Sequence, residues 1–214
     1  MELIHWLMDV VLHLDSHLVE LLRDYGLWVY FILFAIVFAE TGFVITPFLP
    51  GDALLFAAGA LSAVDTSGTL TAPLVCVTLI FAAVAGNTTN YHIGRWIGPP
   101  AFSGKYRFLK VEYLRRTEGF FARHGSMTLV LARFVPVVRT CVPFVAGIAR
   151  MPYARFQGYN ILGALIWVLV LVWAGFFFGN LPVIKNNFGF VTIGIVLVSV
   201  LPMAWVAFKE ALKK

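Results

Sequence analysis

Long apolar runs alternate with short polar segments along the chain, and two of those runs are interrupted by nearly the same phrase. Leu27 to Ile45 is a 19-residue run broken by Glu40 and Thr41. As a helix rising about 1.5 Å per residue it nearly crosses a hydrocarbon layer about 30 Å thick. Pro47, Pro50 and Gly51 then stop any helix. Ala53 to Val64 is apolar for only 12 residues, which suits a re-entrant segment better than a span. Leu74 to Ile97 is long enough to cross. Its second half, Gly86-Asn87-Thr88-Thr89-Asn90-Tyr91-His92, is too polar to face lipid and is expected to look inward. Met127 to Ala149 is the second broken run, with breaks expected at Pro136, Pro143 and Gly147. Ile161 to Phe178 and Val191 to Phe208 read as further spans. Over residues 2–22, Leu3, Leu7, Val10, Val11, Leu14, Leu18, Leu21 and Leu22 recur at helical spacing. That is an amphipathic helix, lying in the interface or packed on the bundle.

The pattern predicts an all-α polytopic membrane protein, and composition supports it. The chain is 60% hydrophobic and 13% charged, with mean hydropathy +0.87, where soluble domains carry about 25% charged residues. One membrane domain over residues 1–214 is expected, without a cleaved signal peptide, since the start carries no basic segment or small-residue cleavage site. The net charge of +5 does not point to nucleic acid. Its basic residues cluster between apolar runs, as the positive-inside rule describes. Lys105, Arg107, Lys110, Arg115, Arg116 and Arg123 lie in the 98–125 connector, placing it in the cytoplasm. Arg150 and Arg155 follow the second broken run, and Lys209, Lys213 and Lys214 place the C-terminus in the cytoplasm. Both ends of 127–149 therefore fall on one side, which a hairpin satisfies and a single crossing does not. The loop from Asp65 to Pro73 lacks Lys and Arg, so the broken segment within 27–64 should enter from outside. Inverted repeats with two facing re-entrant helical hairpins follow. Cys76 and Cys141 sit in apolar runs and read as buried apolar residues rather than a disulfide.

The two similar phrases are Pro47-Phe48-Leu49-Pro50-Gly51 and Pro143-Phe144-Val145-Ala146-Gly147. Charges of opposite sign flank them: Glu40 and Asp52 around the first, Arg133 and Arg139 before the second. A charge at bilayer depth costs about 2.5–3.5 kcal/mol on insertion scales, so these four are expected to meet. Glu40 and Asp52 stand 12 positions apart, about 18 Å on a straight helix, and the prolines allow the chain to fold back. Arg133 and Arg139, six apart, would diverge by about 120° on an unbroken helix, and a break near Pro136 lets them converge. One reading is structural, two buried acid–arginine pairs clasping the hairpins. The other is a site, with guanidinia suited to phosphate and buried carboxylates suited to carrying protons. Asn87, Asn90, Tyr91, His92 and Arg95 are candidate cavity-lining residues, although Asn90, Tyr91 and His92 could equally make interhelical hydrogen bonds and Arg95, near a helix end, reads rather as snorkelling to the surface. His13 and His17 have i,i+4 spacing without a third ligand, so no metal and no cofactor is expected. Trp6, Trp28, Trp96 and Trp205 lie near span ends and read as interfacial anchors.

Three motifs together resemble the DedA family of bacterial inner-membrane proteins. The first is Phe38-Ala39-Glu40-Thr41-Gly42 with Pro47-Phe48-Leu49-Pro50-Gly51-Asp52; the second is Asn90-Tyr91-His92-Ile93-Gly94-Arg95. The third is Ala132-Arg133-Phe134-Val135-Pro136-Val137-Val138-Arg139 followed by Pro143-Phe144-Val145-Ala146-Gly147. The resemblance runs from about residue 25 to 208. It implies a lipid-transporter fold shared with eukaryotic scramblase relatives. Undecaprenyl phosphate or phospholipid is the implied cargo, with dependence on the proton motive force and roles in cell division and envelope integrity. The acids and arginines treated as functional in the family match Glu40, Asp52, Arg133 and Arg139. At position 87, where many members carry Asp, this chain has Asn.

Three activities compete on this reading. In a lipid-phosphate translocase, Arg133 and Arg139 hold the headgroup and protons on Glu40 or Asp52 free them. A small-cation/proton antiporter could use the two acids, but the arginines would repel its cation. An intramembrane lipid phosphatase needs a nucleophile or activated water beside the phosphate. No Ser or His adjoins Arg133 or Arg139, so an enzyme is not expected.

Overall fold

The computed structural model describes residues 26–43, 51–65, 67–98 and 111–181. The expected amphipathic helix at 2–22, Pro47 and Pro50, the span at 191–208, the C-terminal lysines, His13, His17, Trp6 and Trp205 lie outside the described residues. So do residues 99–110 of the basic connector.

All regular structure among the described residues is helical. The helices are α1 (Trp28–Gly42), α2 (Gly51–Val64), α3 (Ala72–Ile97), α4 (Val111–His124), α5 (Thr128–Leu131), α6 (Pro136–Ile148) and α7 (Tyr153–Gly179). Two, α3 and α7, are long and apolar enough to cross a membrane, with 26 and 27 residues. At about 1.5 Å per residue each measures about 40 Å. The 15 residues of α1 and 14 of α2 reach only about 21–23 Å. The expected span at 161–178 starts earlier, at Tyr153, because nothing between Pro152 and Ile161 breaks a helix. The last part of the expected connector is helical too, as α4.

The second broken run is broken once rather than three times. A 3₁₀ turn at Ala132–Phe134 gives way to Val135 in an extended conformation (φ −116°, ψ 105°). Val135 is extended because the residue before a proline is pushed away from the helical region. Pro136 then opens α6 at its first position, where its missing N–H costs nothing. The breaks expected at Pro143 and Gly147 do not occur. Both lie inside α6, where Pro143 removes one backbone bond without ending the helix. Gly51, expected to break a helix, is instead the first residue of α2. At the far end of α6, Arg150 adopts φ +53°. Its N–H bonds the Gly147 carbonyl at 3.0 Å and the Met151 N–H bonds that of Ala146 at 3.0 Å, a left-handed helix stop.

The chain divides into two compact units. Of the described residues, the first contains 26–33, 51–65, 67–76 and 170–181. Within it α2 lies against the end of α7 through glycines. A methyl group added at Gly59 would overlap the Val172 carbonyl, and one at Gly175 would overlap that of Phe56. The Tyr30 hydroxyl donates to the Thr69 carbonyl at 3.0 Å and accepts from the Thr71 N–H at 2.9 Å.

Of the described residues, the second unit contains 34–43, 77–98 and 111–169. Here α6 lies against α3, again through glycines on both sides: Gly94 against the Phe144 carbonyl, Gly147 against that of Tyr91. The end of α1 meets α3 at Gly42 and Gly86. Tyr91, Leu129, Ala132, Val138, Val142, Ala146 and Phe156 form its apolar core. The outward face of α7 in this unit carries Ile161, Leu162, Leu165, Ile166 and Leu169, all exposed. An exposed face so uniformly apolar belongs in lipid rather than water.

Candidate functional site

The centre of the second unit holds the charged residues. Glu40 ends up there because α1 continues past it to Gly42, and its side chain is 1% exposed. Arg133 comes from the 3₁₀ turn before the break and Arg139 from the first turn and a half of α6. The extended step at Val135 lets both guanidinia reach one side of the chain. Each lies 5.7 Å from the centre of the Trp167 ring, within the range of a cation–π contact. Arg139 donates through Nη2 to Oε1 of Glu40, forming a buried ion pair.

Arg133 is held differently. Nη2 donates to Oδ1 of Asn160 at 2.9 Å and to its carbonyl at 3.3 Å. Among the described residues no carboxylate lies within ion-pairing distance of Arg133. Its Nε is buried without a hydrogen-bond partner. Asn160 is fully buried and saturated: Oδ1 also accepts from Nδ2 of Asn87 at 2.9 Å. Its Nδ2 donates to the Val84 carbonyl at 3.2 Å and to Oε1 of Gln157 at 3.0 Å. Gln157 in turn donates to Oγ1 of Thr88 at 2.9 Å and to the Tyr153 hydroxyl at 2.7 Å.

Glu40, Thr41, Asn87, Arg133, Arg139, Thr140 and Trp167 line a small cavity between them. Its volume is about 20 Å³, where one water needs about 10–15 Å³. The cavity thus has room for about one water and not for a phosphate group.

Of the residues singled out by sequence, Glu40, Arg133, Arg139 and Asn87 share that lining. Asn90 braces its walls, donating through Nδ2 to the Thr41 carbonyl at 3.1 Å and to that of Thr140 at 2.9 Å. Tyr91, His92 and Arg95 continue along α3 and are not among the lining residues. Tyr91 is buried and donates to the Met151 carbonyl. His92 is exposed beside Tyr153, and Arg95, in the last turn, is exposed and donates to the Tyr91 hydroxyl at 3.2 Å. Asp52 stands exposed in the first turn of α2, in the other unit. Sequence reasoning missed Asn160, Gly163 and Trp167. They sit at i, i+3 and i+7 on one face of α7, and that spacing was the available signal. Among the described residues no three of His, Cys, Asp and Glu cluster as metal ligands.

Helices with apolar outer faces around a buried, charge-lined cavity define a membrane protein with an internal polar site. The VTT domain model matches residues 49–177, and the chain belongs to this family, the DedA family of membrane proteins. Protein DedA of Escherichia coli K12 is 49% identical over 203 residues, covering 94% of this chain and 92% of its own length. The uncharacterised membrane protein Rv0364 of Mycobacterium tuberculosis H37Rv is 45% identical, over 78% of this chain and 73% of its own. The inner membrane protein YghB of Escherichia coli K12 is 37% identical, over 85% and 79%. No solved structure matches the chain.

Proposed function

We propose that the chain translocates a lipid phosphate, undecaprenyl phosphate or a phospholipid, across the bacterial inner membrane. Proton binding at Glu40 and Asp52 drives it, the C-terminus is cytoplasmic, and the transport supports envelope integrity and cell division. The observation that carries this reading is two guanidinia on one tryptophan ring, that of Arg133 buried and that of Arg139 12% exposed and paired with Glu40 of α1. An arginine fork matches phosphate oxygens, and phosphate is the part of such a lipid that cannot cross hydrocarbon alone.

The closed cavity supplies the cycle. Arg139 is engaged by Glu40, so headgroup entry requires that pair to part. A proton on Glu40 removes its charge and releases Arg139 to the phosphate; loss of the proton restores the clasp and expels the headgroup. The lipid tail stays in the bilayer throughout. The glycine-mediated crossings favour the inverted-repeat architecture. The helix after each break crosses a long helix by the same device, α2 on α7 in one unit and α6 on α3 in the other. Facing re-entrant hairpins belong to this same reading.

A cation antiporter is disfavoured by the arginines in the lining, and a phosphatase by the lack of Ser, His or Cys among the lining residues. The protein is therefore read as a transporter and not as an enzyme. Full-length protein in vesicles should move polyprenyl phosphate or phospholipid between leaflets, faster with a proton gradient. Equal movement of the neutral polyprenol would contradict phosphate recognition. Cation-driven proton flux in vesicles lacking phosphate lipid would favour the antiporter instead.

A further inference from the structure

The two arginines are bound by different chemistry, and that difference assigns them different work. Arg139 has its charge balanced by Glu40. Arg133 is 5% exposed and is tethered by the neutral amide of Asn160. A buried arginine is ordinarily paired with a carboxylate. Here the amide satisfies one donor and leaves the positive charge unneutralised.

One face of α7 is fitted to this side chain. Asn160 accepts its Nη2; Trp167, two turns on, lies 5.7 Å from its guanidinium. Between them, Gly163 makes room. A methyl group there would sit 2.9 Å from Nε, 3.2 Å from Cδ and 3.3 Å from the Leu129 carbonyl. The Nε–H, buried and without a hydrogen-bond partner, is a donor held ready. Asn160 itself is fixed from three sides, by Asn87, the Val84 carbonyl and Gln157.

We infer that Asn160 is a positioning residue that aims Arg133 while leaving its charge for an anionic headgroup, so that Arg133 is the standing anion site and Arg139 the gated one. This rests on the lipid-phosphate reading and adds to it. The tether must be neutral, because a carboxylate in its place would form an ion pair and occupy the guanidinium that the headgroup needs. The charged groups facing Asn160 and its partner are Arg133, Arg139 and Glu40. No other charged residue lines the cavity among those described.

The test uses full-length protein in detergent and farnesyl phosphate as probe, with farnesol as the uncharged control, followed by calorimetry. Wild type should bind the phosphate and not the alcohol. Asn160→Asp should weaken binding at least tenfold at pH 7 and recover toward wild type as acidification protonates the new carboxyl, both proteins being compared at each pH. Asn160→Ser, which keeps a neutral acceptor, should stay within about threefold of wild type. Wild-type affinity in Asn160→Asp at pH 7 would overturn the inference and leave the lipid-phosphate reading standing. So would equal, pH-independent loss in both variants, which marks a residue that only packs. Wild type that binds farnesol as well as farnesyl phosphate would overturn the inference and the reading together.

Discussion

Glu40 and Arg139 form an ion pair in an apolar interior, where removing one partner strands the other. Glu40→Leu or Arg139→Met alone should each cost about 3–5 kcal/mol, while the double variant should lose much less than the sum. Thermal unfolding of the four purified proteins measures the coupling, and simple additivity would show that the pair is not engaged in solution. These two residues and Arg133 were legible in the sequence because a charge in an apolar run is conspicuous and needs a partner. Their partners were not. Asn160 and Trp167 are ordinary residues of an apolar helix, and only the fold shows that a neutral amide holds Arg133. The expectation of two acid–arginine pairs matched every cation with an anion; Glu40 pairs with Arg139, while Arg133 is held by Asn160.

Between elements, glycines set the distances. A methyl group on Gly94 would overlap the Phe144 carbonyl, and one on Gly59 that of Val172. Backbone atoms cannot swing aside as a long side chain can. Gly94→Ala and Gly59→Ala should therefore each destabilise by about 1–3 kcal/mol, as overpacked cores do, whereas Gly119→Ala, which meets nothing, should not. Denaturant unfolding in detergent compares the three. The turn between α2 and α3 offers a second check. Burial would push the Asp65 carboxyl up, but bonds from the Ser67 hydroxyl and the Leu70, Ser67 and Thr69 backbone outweigh it and hold it below 3.8. A lowered value means that the carboxylate stabilises the fold above pH 3.8 and that this is lost as pH falls through the folded-state value. The advantage of wild type over Asp65→Asn should hold at neutral pH and fade in acid; a constant difference would contradict it. Helix positions were readable from hydrophobic runs and from Pro136. The extra proline at 143 misled because a single missing N–H is tolerated inside a packed helix.

At the scale of the molecule, the proposed transport requires movement between this state, whose cavity admits about one water, and one that accepts a headgroup. On that reading the helix break at Val135–Pro136 and the Glu40–Arg139 clasp are the places where the movement has the least to undo. Composition revealed the membrane and the motifs revealed the family, while neither could show that the two arginines are unequal. The most direct measurement follows leaflet-to-leaflet transfer of a fluorescent polyprenyl phosphate in vesicles carrying the full chain under an imposed proton gradient. Wild type should transfer it, and Arg133→Ala, inserted and folded to the same extent, should fall to the rate of protein-free vesicles. Undiminished transfer by Arg133→Ala would contradict the account.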